Sequence, residues 1–138
     1  MIAINSSQPL VHLVCKFVLD GKTYDVDGFS MGFLQPTGFN GKPQHEIRGG
    51  QMSILLNQMA DENLIIWAKK ETQLKSGVVL FQTDMGMTVM EITFERAYCI
   101  NLSDEIDALS GTSTTVIISP KIVSLYGITH TNDWGVND

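Results

Sequence analysis

Cysteine is nearly absent: Cys15 and Cys99 are the two the 138-residue chain contains. Two are too few for a disulfide framework, and their separation offers no zinc-ligand spacing, so a reducing compartment is the simplest setting for them. Basic residues are scarce too, with 9 Lys+Arg against 15 Asp+Glu and a formal net charge of −6. Neutralising a phosphate backbone takes clustered cations, and apart from Lys69-Lys70 these are scattered, which excludes nucleic acid as a partner. No apolar run approaches the roughly 18 residues that cross a bilayer, so no membrane insertion is expected. The stretch from Met1 to Leu19 lacks the basic flank of a signal peptide, and His12 and Lys16 interrupt its apolar part. Any export would therefore use another route.

Catalytic and metal-binding spacings are missing as well. The stretch ending Gly41-Lys42-Pro43 resembles a phosphate loop, but Pro36 stands where the first Gly belongs and Pro43 where a magnesium-binding hydroxyl belongs. Asp25-Val26-Asp27-Gly28 puts its Gly fourth instead of sixth, so it is not a calcium loop. His12, His45 and His130 have no metalloprotease spacing. Glu91 and Glu95 lie about 13 Å apart on an extended chain, too far for a retaining glycosidase pair. Arg48-Gly49-Gly50 occurs once, unlike repeated RNA-binding segments. Cys99 reads as a small buried hydrophobe, Met85, Met87 and Met90 as core or interface packing, and Trp67 and Trp134 as packing anchors. The chain is thus expected to be non-enzymatic, with no cofactor and no metal.

What the sequence does contain is strand periodicity. Val11, Leu13, Cys15, Phe17 and Leu19 fall on alternate positions, the period of a strand with one buried face. Asp20-Gly21 predicts a two-residue hairpin turn, and the partner strand runs from Lys22 to about Gln35, bent at Gly28 or Gly32. Pro36 to Gly50, with Gly38, Gly41, Gly49, Gly50, Pro36 and Pro43, predicts a long surface loop of the kind that carries function. Met52, Ile54 and Leu56 then mark one face of a further strand. Asp61 is the expected N-cap of one helix reading ENLIIWAKK, with Leu64, Ile65, Trp67 and Ala68 as its apolar stripe. Further strands follow Ser76-Gly77, a turn near Met85-Gly86, and a last long strand from Ser113 to Leu125 with a bulge at Pro120. Asp104 to Gly111 reads as an excursion or a half-formed turn. The sum is a mainly β chain, one domain over residues 1–138, forming a small antiparallel β-barrel or sandwich with one short flanking helix and a long protruding loop. The second faces of the strands carry Leu10, Val14, Val18 and Leu55 among polar neighbours, a pattern that fits either a partner chain covering part of the outside or ordinary scattered surface apolar groups.

The order of these pieces is more specific than any one of them. KTYDVDGFSMGFLQ, then GFNGKP leading to IRGGQMSI, NLIIWA, KSGVVLF, ITFERAYC and TVIISPKI before a C-terminal NDW resembles the Hcp (TssD) tube proteins of bacterial type VI secretion systems, in a divergent branch. The resemblance spans Phe17 to Trp134, and Ser103 to Ser113 is its least familiar stretch. It implies a barrel that forms hexameric rings stacked into the inner tube of a contractile injection machine, capped by a spike protein, wrapped by a sheath on a baseplate, with effector cargo in the lumen. It also implies assembly in the bacterial cytoplasm, then secretion without a signal peptide. The loop joining one ring to the next would be Pro36 to Gly50, with Gly41, Lys42, Pro43, His45, Glu46, Arg48, Gly49 and Gly50 as its site residues. A phage-like tail-tube protein shares these features, and a monomeric ligand-binding β-barrel shares the strands; subunit mass separates the last from the first two.

Overall fold

A computed structural model describes residues 12–34, 48–70 and 72–132. Strand β1, Leu13–Leu19, turns back into β2, Lys22–Leu34, through Asp20 and Gly21. Both turn residues have positive φ, 53° and 75°, the conformation a twisted two-residue hairpin demands. The other strands are β3, Arg48–Leu56, β4, Lys75–Thr83, β5, Thr88–Asp107, β6, Gly111–Leu125, and β7, Ile128–Thr131, with helix α1 over Glu62–Lys69.

All pairings are antiparallel, in the order β3-β2-β1-β4-β5-β6-β7, and β3 also pairs with β6. That last ladder, Met52↔Ile118 to Leu56↔Thr114, closes six strands into a barrel. Closure removes the sheet edges that an open sheet would expose. β7 extends the same edge of β6 beyond β3, from Ile122↔Thr131 to Leu125↔Ile128.

The expected alternation fills the interior. Phe17, Leu19, Tyr24, Met52, Ile54, Leu56, Val79, Ile92, Phe94, Val116 and Ile118 are all buried, each stabilising by roughly 1.5–3 kcal/mol if an aliphatic or Phe side chain. The Phe17 ring lies between Tyr24 and Phe94, with centroids 5.9 and 6.0 Å away. Leu13, on the same face of β1, is half-exposed because it sits at the strand's open end.

Three expectations are corrected, and one strand is new. Arg48, Gly49 and Gly50 belong to β3 and not to the loop: Leu34 pairs with Arg48 and Phe33 with Gly49, and Gly50 is the extra residue of a bulge opposite Gly32 and Phe33. Its φ of 78° suits the left-handed position of such a bulge, so glycine here serves the ladder. The β6 register passes through Pro120 unbroken, and the irregularity sits across the pair at Cys99–Asn101. Asp104 to Gly111 is neither excursion nor half-turn: it forms the end of the β5–β6 hairpin, paired from Ser103↔Thr115 to Asp107↔Gly111. β7 was not expected, since its four residues are too short to show alternation.

Candidate functional site

The inward-facing strand side chains are buried against one another, so the groups left to meet other molecules are sought on the outside. The barrel has two dissimilar ends. At one, β2 ends and β3 begins, with the β4–β5 and β6–β7 turns beside them; at the other lie the β1–β2 turn, α1 and the β5–β6 hairpin.

The first end would carry the sequence-derived loop. Gly41, Lys42, Pro43, His45 and Glu46 lie outside the described residues. Gly50 is buried, and a Cβ on it would stand 2.6 Å from Val123 Cγ1, so its lack of a side chain lets β3 pack on β6. Arg48 and Gly49 stand at the start of the β3 ladder. Nearby, Met85 is 92% and Met87 69% exposed, which leaves only the interface half of their expected packing role. An open groove between Val89, Met90, Glu91 and Tyr126 runs between the two turns.

At the second end the helix is fastened through Asp61. Its carboxylate accepts the Leu64 backbone N–H at 3.0 Å as N-cap, the Tyr24 hydroxyl at 2.7 Å and the Lys22 ammonium at 2.5 Å. Burial alone would raise the Asp61 pKa, but the hydrogen bonds from Lys22, Leu64 and Tyr24 outweigh it and hold the group below its ordinary value. Burial, with the Asp61 bond added, pushes Tyr24 up to about 12. Lys75 pairs with Asp20 and reaches Asn63 Oδ1 at 3.3 Å, tying β4 to the same cluster. Of the expected stripe, Leu64 and Trp67 are buried, while Ile65 faces solvent. The Trp67 indole N–H is shared by the carbonyls of Gln73 and Ala97 at 3.1 and 3.3 Å. Trp67 is thus a packing anchor; Trp134 lies outside the described residues.

Sequence reasoning missed the base of the hairpin. The Asp104 carboxylate accepts the Ala60 N–H at 3.1 Å and stands 2.5 Å from the hydroxyl of buried Thr114, which is also 2.6 Å from the Gln58 carbonyl. This bonding joins the strand-to-helix connection to the root of the hairpin. At the tip, Asp107 accepts the N–H groups of Leu109 and Ser110 at 2.8 and 3.3 Å, bonds that lower its pKa. Asp-x-x-x-Gly at 107–111 was the available signal, a turn opener followed by a residue at φ 89°.

Among the described residues, no three His, Cys, Asp or Glu side chains come together as a metal site. Burial pushes the Cys15 thiol up to about 11 and raises Cys99 as well, against thiolate chemistry at either. His12 is exposed, His130 Nε2 lies 2.9 Å from Asn132 Oδ1, and Glu91 and Glu95 both face solvent. His45 lies outside the described residues. No described helix is long and apolar enough to cross a membrane.

Comparison with known proteins places these features in a family. A family model described as hemolysin coregulated protein Hcp (TssD) matches residues 11–135. Among solved structures, Hcp1 from Flavobacterium johnsoniae is 26% identical with a TM-score of 0.78, covering 86% of this chain and 99% of that one. Hcp1 from Salmonella typhimurium has the same fold at 13% identity and a TM-score of 0.67, over 86% and 91% of the two chains. A chain of the anti-feeding prophage baseplate aligns at 15% identity and a TM-score of 0.53, over 87% and 97%. No curated protein matches by sequence.

Proposed function

The chain belongs to the Hcp (TssD) family, and from that premise we propose that six copies close into a ring and that the rings stack as the inner tube of a type VI secretion system. The family is one of structural tube proteins and not of enzymes, so the chain is a tube subunit. The observation that carries the reading is the family match over residues 11–135, joined to the likeness in fold to Hcp1. Exposed apolar groups at both barrel ends support it, since such groups mark contact surfaces. The family match argues against the monomeric ligand-binding barrel.

In this reading the subunit assembles in the bacterial cytoplasm and leaves with the tube, under a spike protein and inside a sheath, with effectors as possible cargo. The connection over residues 35–47 joins rings. It leaves the barrel from paired residues Leu34 and Arg48, at the end remote from α1. Gly41, Lys42, Pro43, His45 and Glu46 are its contact positions, with Arg48 at its foot; Gly49 and Gly50 serve the strand. Light scattering on purified protein tests the ring: six times the subunit mass supports it, and a monomer at tens of micromolar overturns it. Reversing charge at Lys42 and Arg48 together then tests the junction. Intact rings that no longer stack support it, and unimpaired tubes place the junction elsewhere. A phage-like tail tube is the second reading, favoured by the likeness to the anti-feeding prophage chain, and the genes flanking this one decide between the two.

A further inference from the structure

The β5–β6 hairpin and helix α1 differ in charge, and each exposes apolar groups with no cover in its own subunit. The hairpin carries Asp104, Glu105 and Asp107, and no Lys or Arg lies between Arg96 and Lys121. Ile106 is 74% and Leu109 97% exposed at its end. On α1, Leu64 and Trp67 point into the core, while Ile65 and Ile66 are about 40% exposed. Ile66 shares its side of the helix with Glu62, four residues before it, and with Lys69 and Lys70, three and four residues on, and all three charged side chains are exposed. Among the described residues neither lysine has an ion-pair partner.

Within one subunit the hairpin root adjoins the approach to α1, Asp104 accepting the Ala60 N–H, but the tip stays away from the lysine end of the helix. The C-terminal half of α1 is fixed at the level of Ala97, where the Trp67 indole donates, whereas the hairpin tip lies ten residues farther along β5, about 30 Å of extended strand. The opposite barrel end offers other exposed apolar groups, Met85, Met87, Tyr126 and Ile128, but Asp84 and Glu91 stand among them. The paired cations Lys69 and Lys70 at the C-terminal end of α1, set apart from Glu62 in the first turn, attract an acidic tip.

We propose that in the ring each copy seats its β5–β6 hairpin tip on the outward face of α1 of the next copy, with Ile106 and Leu109 against Ile65 and Ile66 and the acidic side chains against Lys69 and Lys70. The proposal rests on the ring reading above and names the contact within it. A contact joining two different surfaces is heterologous, and such contacts close into a ring when the rotation between copies allows. It also accounts for a hairpin that projects past the barrel while adding nothing to the subunit core.

The test compares Lys70→Glu, Glu105→Lys and their combination with the parent, reading the concentration at which the ring half-dissociates. Each single reversal is expected to raise it roughly tenfold or more, and the double reversal to return it toward the parent. Both side chains are exposed, so thermal unfolding of the subunit serves as the folding control. Ile66→Cys combined with Leu109→Cys is expected to give, on oxidation, a cross-linked ladder ending at the ring mass, with no ladder from either single variant. Parent rings that persist while the reversals change nothing and the cysteine pair does not cross-link overturn the contact and leave the ring reading standing. A ladder running past the ring mass overturns the contact too, placing it between rings. A parent that is monomeric throughout overturns both.

Discussion

The region around Asp61 and the tip of the β5–β6 hairpin use polar side chains in opposite ways. Around Asp61, Lys22, Tyr24 and the Leu64 N–H converge on one carboxylate, and Trp67 fills the space beneath with its N–H satisfied. At the tip, Asp107 bonds only the turn it opens, while Ile106 and Leu109 stand in solvent. The first region commits its chemistry to the fold of one chain; the second leaves its chemistry for another. Side chains satisfied at home stabilise the subunit, and the exposed ones at the tip are those the proposed ring contact uses.

Trp67→Ala attacks the first region hardest. It empties a fully buried site and removes the donor shared by the Gln73 and Ala97 carbonyls, so a loss of about 3–5 kcal/mol is expected from urea unfolding. Gly50→Ala comes next. Its Cβ would overlap Val123 at a positive φ, and an overpacked core typically loses about 1–3 kcal/mol; an unchanged melting temperature would return Gly50 to a loop role. Asp61→Ala removes the N-cap and is expected to lower stability by about 0.5–2 kcal/mol, with Asp61→Asn falling between it and the parent.

The same contrast has a pH signature. Because the Asp61 pKa is lowered on folding from 3.8, its contribution is present above that value and is lost as pH falls through the folded pKa. Tyr24 runs the other way. Raised from 10.0 to about 12, it contributes fully below pH 10 and loses that contribution between 10 and 12. Acid and alkaline unfolding followed by circular dichroism should therefore show Asp61→Asn less acid-sensitive than the parent and Tyr24→Phe less alkali-sensitive. The smallest expected effect is at the tip: Leu109→Ser should shift subunit stability by no more than about 0.5 kcal/mol. A larger loss would mean that the hairpin belongs to the core, and the comparison of regions would fail.

The first hairpin, the Met52–Leu56 strand and α1 with its cap were legible in the sequence because each rests on local rules: alternation, a two-residue turn, a carboxylate ahead of free amides. Arg48-Gly49-Gly50 was misread because composition cannot tell a flexible loop from a bulged strand; Gly50 is needed for its distance to Val123, a residue far away in sequence. The hairpin tip was misread for the converse reason. Outside the barrel both faces of a ladder meet solvent, so Asp104 to Asp107 shows no alternation between buried and polar positions although β5 continues through them. The Asp104–Thr114–Gln58 bonding spans distant segments and has no local pattern. The family was legible because it rests on the order of many weak pieces. The proposed ring contact has no such signal, since single-chain periodicity reports burial within one subunit.

Electron microscopy of the purified protein, with class averages viewed down the symmetry axis, tests the central claim most directly. The account predicts closed six-fold rings with an open lumen, their copies related by rotation alone. Isolated single barrels at the same concentration, or open chains of subunits that do not close, would contradict it.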